Sequence, residues 1–293
     1  EKLLIALGVA FTLFGDRYVP SSAPSTPAVP KPHQTRDIRP YVWRETELIG
    51  HKKDLRTIYV MVQKHKNFFD PHDSAMLSEE VAPCQAEIFR YVEDRHINHG
   101  LELLMVERYE MSFGDLQEWK PEYDPQLAQR MPTLSDPELE KIIKENSLLD
   151  ATMIYQGYPH LHVYGHGGFV QGIQAFLDMA RRRSQLLRKM EQAGSISVAS
   201  LPPPEQQELM QLHRRIEEIA PKLRLARSLL SFNHSLKLSE RLQRERVISN
   251  GDVALVMGVG HKEDYQFIAE SYKIKDTHPR VILVELNHCY QRR

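Results

Sequence analysis

The sequence predicts an α/β protein with a mostly parallel sheet, made of two similar βαβ units and an inserted helical hairpin. Three observations support this. Apolar runs rich in β-branched residues alternate with amphipathic helical stretches. A strand–turn–His–helix–strand–Glu pattern near the start of the folded region recurs near the end of the chain. A long, charged, helical region separates the two copies.

The first unit begins with Leu55–Val62, whose apolar, β-branched and aromatic content predicts a buried strand. Pro83–His96 then has helical periodicity, and we expect Pro83 to lie in the first turn, where proline is tolerated. Leu101–Val106 is the next predicted strand, and Glu107 follows it directly. The unit therefore reads as strand, helix and strand.

The middle of the chain is polar and mostly helical. A short helix is expected over Asp136–Asn146, and Leu161–Tyr164 is a short predicted strand. Two long helical stretches, Gly172–Gln192 and Glu205–Arg246, are joined by a loop rich in serine and proline. They predict an antiparallel helical hairpin over about residues 170–246, inserted between parts of the sheet.

The second unit repeats the first. Val253–Met257 is a strongly apolar strand, followed by the turn Gly258-Val-Gly-His261. A helix is predicted over Glu263–Tyr272, and Val281–Val284 is a further strand that ends on Glu285. Both units therefore place a histidine just beyond a strand and a glutamate at the end of the next strand.

These four polar residues sit where α/β proteins bind ligands. His65, His261, Glu107 and Glu285 follow the carboxyl ends of predicted parallel strands, and ligands of open α/β sheets bind at that edge. Neighbouring strands lie about 4.8 Å apart, so His65 and His261 would share a metal or substrate if their strands are close. The two carboxylates leave buried strands, so each needs an arginine, a histidine or a metal as its partner. For Glu285 a surface position at a strand end stays open.

Two further groups are weaker candidates. Gly258 and Gly260 are candidate cofactor-binding residues, because glycine lets the backbone turn sharply and approach a ligand closely. His160, His162 and His166 are secondary candidate metal ligands, since residues 160 and 162 would share one face of a strand. A strand with incidental histidines explains that cluster equally well.

The amino-terminal segment predicts export. Leu3–Phe14 is a run of twelve uncharged residues, shorter than the roughly 20 that a spanning helix needs but typical of a signal peptide. We assign residues 1–17 to a signal peptide or membrane tether and 18–40 to a Pro/Ser-rich linker. Residues 41–293 form the α/β domain. The expected location is periplasmic, otherwise extracytoplasmic, or tethered to a membrane through residues 3–14.

Composition narrows the class of partner. Lys and Arg total 38 against 39 Asp and Glu, so charge gives no support for binding nucleic acid. The two cysteines, Cys84 and Cys289, cannot form a disulfide scaffold, although a single disulfide is compatible with an oxidising compartment. We expect a peptide or a small molecule as substrate, and a homo-oligomer stays open.

The repeated pattern resembles the TraB/Tiki-like (GxxH) superfamily, whose wider relatives include ChaN-type haem-binding lipoproteins and erythromycin esterases. The similarity runs over roughly residues 59–285 and depends on short stretches, among them VALVMGVGHKEDYQFIAE and YPHLHVYG. The second motif is intact as Gly258-Val-Gly-His261. The first, Val62-Gln-Lys-His65, keeps the histidine but lacks the glycine.

The resemblance implies a metal-dependent hydrolase, peptidase-like in its chemistry, with its site at the GxxH edge. It assigns His65, His261 and Glu107 to a divalent metal, with Glu107 as a ligand or a general base. It places a catalytic basic residue in the helix before the second motif, at Arg241 or Arg246. Esterase-like relatives carry Glu where Gln63 stands, and Gln cannot act as a base.

That departure keeps a second class of function open. A catalytically degenerate protein of the same fold would bind haem or a metal, or would assemble a membrane complex. The identity of the metal is also open, because zinc, manganese and cobalt all suit a site of imidazole and carboxylate ligands.

Overall fold

A computed structural model describes residues 39–64, 77–107, 134–145, 160–166, 173–195 and 197–290. Its strands are β1 (Val42–Ile49), β2 (Lys53–Gln63), β3 (Leu103–Glu107), β4 (His162–His166), β5 (Val253–Gly258) and β6 (His278–Leu286). Its α-helices are α1 (Leu77–His99), α2 (Asp136–Glu145), α3 (Ile173–Gln192), α4 (Pro203–Arg244), α5 (Lys262–Tyr272) and α6 (Asn287–Tyr290). Single 3-10 turns occupy Val198–Ser200 and Val259–His261.

The six strands form one sheet in the order β1-β6-β2-β5-β3-β4. The pairs from β6 through β2, β5 and β3 to β4 are all parallel, and β1 pairs antiparallel with β6 at the edge. The predicted α/β class with a mostly parallel sheet is therefore confirmed. Strand β1 was not predicted, because the middle of its sequence VWRETELI is charged and polar and so lacks the apolar run that marks the inner strands; charged side chains are common on edge strands.

The two βαβ units interleave in this sheet. The first unit is β2–α1–β3 and the second is β5–α5–β6, yet β5 lies between β2 and β3, while β2 lies between β5 and β6. The two strands that begin the units are consequently direct neighbours, with Gln63 opposite Gly258 at their carboxyl ends. The carboxyl ends of these two strands therefore lie side by side in the middle of one sheet edge.

The sheet is covered on both faces, which explains why its inner strands read as continuous apolar runs. On one face α1 packs through Ile88 and Phe89 against Val106 and Val256. On the other face α4 and α5 pack against the opposite side chains of the same strands, in a second core that includes Phe232. Every residue of β5 is buried.

Helix α1 begins earlier than its sequence suggested. It starts at Leu77, so Pro83 lies inside the helix rather than in its first turn. That expectation was wrong because the polar residues before Pro83 have no apolar periodicity that would mark them as helical. Proline removes one backbone donor, so Pro83 forgoes the usual bond to the carbonyl four residues earlier.

Helices α3 and α4 fill the range predicted for the hairpin. Lys189 pairs with Glu205 and Arg182 pairs with Glu208, a register in which the two helices run antiparallel. Helix α4 has 42 residues, about 63 Å of helix, and continues through Pro221. Its first half packs on α3 through a small apolar cluster that includes Leu186 and Leu209, while its second half packs on the sheet.

The two cysteines are joined. Cys84 in α1 forms a disulfide with Cys289 in α6, across 205 residues of sequence, and both side chains are buried. The bond fastens the carboxyl-terminal helix to the helix that covers the sheet. None of the helices in the described ranges has both the length and the apolar character required to cross a membrane. Residues 1–38, which hold the predicted signal peptide or tether and most of the linker, lie outside the described ranges.

Candidate functional site

The site begins with Glu107, the last residue of β3. Its carboxylate is buried and accepts a hydrogen bond at 2.8 Å from Nη2 of Arg227 on α4. The other carboxylate oxygen accepts the backbone N–H of Gly258, also at 2.8 Å. Sequence reasoning required a partner for this carboxylate, and the structure provides an arginine together with a peptide N–H.

The arginine at the site is not one of the two that the resemblance implied. Arg241 and Arg246 are exposed and lie near the opposite edge of the sheet, since the Ser239 hydroxyl donates to the carbonyl of Gly251 just before β5. Placing them at the site was wrong because α4 runs against the strand direction. Its carboxyl end reaches the amino edge, and Arg227 lies at the carboxyl edge.

His261 lies between Glu107 and two further polar side chains. Its Nε2 is 3.6 Å from Oε1 of Glu107. Its Nδ1 is 2.7 Å from the hydroxyl oxygen of Ser228 on α4 and 3.4 Å from Oδ2 of Asp264 on α5. The imidazole is 7% exposed, so both nitrogens face protein groups. The predicted association of His261 with Glu107 therefore exists in the structure.

Asp264 completes the shell behind His261. The Ser228 hydroxyl donates to Oδ2 of Asp264 at 2.8 Å, and Nε of Arg224 lies 3.1 Å from the same oxygen. Burial alone would raise the pKa of Asp264, but hydrogen bonds with His261 and Ser228 and the charge of Arg224 hold this pKa below its usual value. Asp264 is therefore an ionised acceptor at neutral pH.

His166 lies beside Glu107 at the end of β4 and is wholly enclosed. Its Nδ1 is 2.9 Å from the Ser231 hydroxyl, and its Nε2 is 2.8 Å from the carbonyl oxygen of Val256. The carbonyl can only accept, so Nε2 carries the proton and Nδ1 accepts from the serine. Burial lowers the pKa of His166 to about 4, so this histidine is neutral and its ring nitrogens are both engaged.

The three histidines of the second cluster do not converge. His162 is opposite Leu103 and His166 is opposite Glu107, so these two lie at the two ends of β4. His160 is exposed, precedes the strand and has a positive φ of 67°. His162 and His166 are four residues apart along the strand, a distance of about 13 Å. Residues 160, 162 and 166 therefore do not form a shared metal site.

Glu285 is the counterpart of Glu107 in the second unit, and it is fully buried. Nε of Arg44 on β1 donates to one carboxylate oxygen at 2.8 Å, and Nζ of Lys262 donates to the other at 2.6 Å. The surface position left open for Glu285 is therefore wrong. Two cations already bracket this carboxylate, which makes it a structural anchor for the start of α5 and for the edge strand.

The first motif is described only up to its histidine. Gln63 is buried, and its side-chain oxygen accepts from Nε2 of Gln85 at 2.9 Å. Because β2 and β5 are neighbours, the condition that we set for His65 and His261 to share a ligand is met. His65 itself lies outside the described ranges. Within those ranges, no group of three or more His, Cys, Asp or Glu side chains is arranged to hold a metal ion.

The two glycines of the second motif differ in role. Gly258 has a φ of −56°, which any residue can adopt, and its contribution is the N–H that it donates to Glu107. Gly260 is exposed, and a side chain at this position would approach Arg224 at 3.9 Å. The sharp turn that we expected is therefore absent at Gly258. Its backbone N–H instead donates a hydrogen bond to the Glu107 carboxylate.

Tyr265, one helical turn after His261, has a fully enclosed hydroxyl for which the described residues provide no hydrogen-bond partner. Burial, together with the negative charges of Glu107 and Asp264, raises the pKa of Tyr265 well above its usual value. A buried polar atom without a partner is costly and rare in folded proteins.

Sequence reasoning missed four site residues, Arg224, Arg227, Ser228 and Asp264. The first three have a spacing of three and four positions, which places them on one face of α4. Asp264 lies on the stripe of α5 that also carries the buried Ile268. The signal available in the sequence was this helical spacing, which places the polar residues on helix faces that the structure shows to be packed. Comparisons with protein-family models, with curated proteins and with solved structures find no match to this chain.

Proposed function

We propose that this protein is an extracytoplasmic metal-dependent hydrolase, peptidase-like in its chemistry, whose centre is the Glu107–His261 pair. The observation that carries the proposal is the 3.6 Å separation of Nε2 of His261 from Oε1 of Glu107 in a buried setting at the carboxyl edge of the sheet. Two ligands of one tetrahedral zinc ion, each about 2.1 Å from it, lie about 3.4 Å apart. The pair therefore fits a shared divalent cation with little movement.

Each residue of the site would have a separate role. His261 and Glu107 would hold the ion, with His65 as the further ligand that the resemblance implies. A bound divalent cation supplies a Lewis acid and lowers the pKa of a water molecule. Arg227 donates to one oxygen of Glu107 and the N–H of Gly258 donates to the other, and Arg227 replaces Arg241 and Arg246 as the candidate for stabilising negative charge on a substrate.

The disulfide supports the proposed location. Buried disulfides form in oxidising compartments and are rare in the cytosol of mesophilic cells. The bond between Cys84 and Cys289 therefore agrees with the export that the amino-terminal sequence suggests. A peptide or a small molecule remains the proposed substrate.

A second candidate function has its own supporting observation. Gln63 occupies the position where esterase-like relatives have an acid, and Gln85 holds its side chain in place. A protein of this fold that has lost catalysis would carry haem or a metal, or would assemble a membrane complex. Addition of haemin distinguishes this candidate, since haem binding gives a Soret band that a metal-only site lacks.

Metal-dependent hydrolysis tests the proposal. Protein stripped with a chelator is incubated with zinc, manganese or cobalt and assayed on a mixture of quenched fluorescent peptides. We expect cleavage that depends on the metal and falls at least about 100-fold in His261→Gln and Arg227→Met. The matched control Arg241→Met, an exposed arginine on the same helix, should keep full activity. Absence of metal-dependent cleavage with every ion would contradict the hydrolase assignment.

A further inference from the structure

A shell of hydrogen-bonded polar groups lies behind His261, on the side of the ring that faces away from Glu107. Ser228 contacts three groups through one hydroxyl: Nδ1 of His261 at 2.7 Å, Oδ2 of Asp264 at 2.8 Å and the backbone carbonyl of Arg224 at 3.0 Å. A hydroxyl has a single hydrogen to donate. The arrangement therefore restricts where the other hydrogens can lie.

Two tautomers of a neutral His261 can be compared. If the hydrogen is on Nε2, the Nδ1 lone pair faces the Ser228 oxygen and the Asp264 carboxylate. The single hydrogen of the Ser228 hydroxyl would then be shared among Nδ1, Asp264 and the carbonyl of Arg224. With hydrogen on Nδ1, the ring donates to Ser228, and Ser228 donates in turn to Asp264. The second arrangement gives a hydrogen to both the Ser228 oxygen and the Asp264 carboxylate, whereas the first leaves Nδ1 and Asp264 competing for the single hydroxyl hydrogen.

That tautomer leaves the Nε2 lone pair facing Oε1 of Glu107 at 3.6 Å. Two buried acceptors at this distance repel each other unless a cation or a donor lies between them. Histidines that bind metal ions commonly donate their second ring N–H to a carboxylate or carbonyl, which fixes the tautomer and the ring orientation. The shell behind His261 has that form, with a serine relaying the hydrogen bond.

We propose that Ser228 and Asp264 are positioning residues that hold the His261 ring with a hydrogen on Nδ1, so that Nε2 faces Glu107 and any ion bound there. Arg224 extends the shell, since its guanidinium contacts the same Asp264 oxygen. The positioning role rests on the proposed function only for the identity of the ligand. The tautomer itself is a property of the protein without a ligand.

The test combines nitrogen-15 NMR with metal titration on the full chain. Protein labelled at histidine is examined at a pH where the ring is neutral, and the His261 signals are assigned by their loss in His261→Gln. We expect wild-type His261 to be the Nδ1–H tautomer, and we expect Ser228→Ala plus Asp264→Asn to populate the Nε2–H form. Zinc affinity, measured by calorimetry, should fall about 10- to 100-fold in the double variant.

Ser235→Ala is the matched control. Ser235 is also fully buried on α4 and also donates to the carbonyl four residues earlier, that of Ser231. This variant should change neither the tautomer nor the zinc affinity. An Nε2–H tautomer of His261 in the wild type, or an unchanged tautomer in the double variant, would overturn the positioning role. A wild type that has the expected tautomer but binds no divalent metal would instead overturn the proposed function alone.

Discussion

Nη2 of Arg227 lies 2.8 Å from Oε1 of Glu107, and this ion pair joins the long inserted helix to the end of strand β3. The side chains are 10% and 2% exposed, so neither charge is well hydrated. The helix that interrupts the two βαβ units therefore contributes the cation of the candidate site. The inserted helix α4 is therefore part of the candidate site as well as part of the fold.

Removal of that cation should destabilise the fold. Arg227→Met leaves a buried carboxylate without its counter-charge, which costs about 3–5 kcal/mol of unfolding free energy. Urea unfolding measures the loss. The control Arg241→Met removes an exposed arginine from the same helix and should stay within about 0.5 kcal/mol of the wild type. A loss below about 1 kcal/mol in Arg227→Met would show that Glu107 is compensated by other groups.

His166 predicts a loss of stability in acid. The folded state keeps this histidine neutral down to a pKa of about 4, while the unfolded chain protonates it near 6.5. The stabilisation is present above pH 6.5 and is lost as the pH falls towards 4, by about 3 kcal/mol. Burial is the main cause of this lowered pKa; the charge of Arg227 lowers it further, while the charge of Glu107 opposes the shift. Urea unfolding between pH 7.5 and 4 checks it.

The comparison variant for this pH dependence is His166→Asn, which has no titrating ring. Its stability should fall less steeply between pH 6.5 and 4 than that of the wild type. Parallel curves for the two proteins would mean that His166 does not become protonated on unfolding in this range.

Two tyrosines on α5 form a matched pair. The Tyr265 hydroxyl has no hydrogen-bond partner among the described residues, whereas the Tyr272 hydroxyl donates to Oδ1 of Asn233. Tyr265→Phe should therefore leave stability unchanged or raise it by up to about 1 kcal/mol, and Tyr272→Phe should lower it by about 1 kcal/mol. Chemical unfolding of both variants provides the measurement. Equal losses would show that a water molecule or a ligand satisfies Tyr265.

The disulfide should make a large contribution to stability. Replacing Cys84 and Cys289 by alanine releases a link across 205 residues and should lower the free energy of unfolding by about 2–5 kcal/mol. Fully reduced wild-type protein should unfold like the double variant. Intact mass with and without reduction, followed by alkylation, reports the state of the purified protein. Two free thiols in the native protein would contradict the predicted bond.

The sequence allowed the inner strands to be predicted because they are buried on both faces. VALVM at 253–257 is apolar throughout, and β5 has neighbours on both sides and helices above and below. Strand β1 escaped prediction because it lies at the edge of the sheet, where Glu45 and Glu47 are exposed, and its charged middle resembles a loop sequence. Interleaving of the two units could not be read from periodicity, which is silent about which strands pair.

Some residues of the candidate site could also be predicted from the sequence, and others could not. Glu107 and His261 were predicted from their places after strands, because chain order alone puts them at one sheet edge. Arg227 and Ser228 could not be, because their proximity depends on how α4 crosses the sheet. The choice of Arg241 and Arg246 failed for that reason, since Arg241 lies about four turns further along the same helix and Arg246 lies just beyond its end.

The most direct test of the central claim is the metal content of the wild-type protein, purified without chelators and measured by mass spectrometry of the elements. We predict one divalent transition-metal ion per chain, lost in His261→Gln and in Glu107→Gln. Glu285→Gln, which changes the equivalent carboxylate of the second unit, should retain the ion because Arg44 and Lys262 already bracket that group. A wild type without stoichiometric metal, or His261→Gln and Glu107→Gln variants that keep it, would contradict the account.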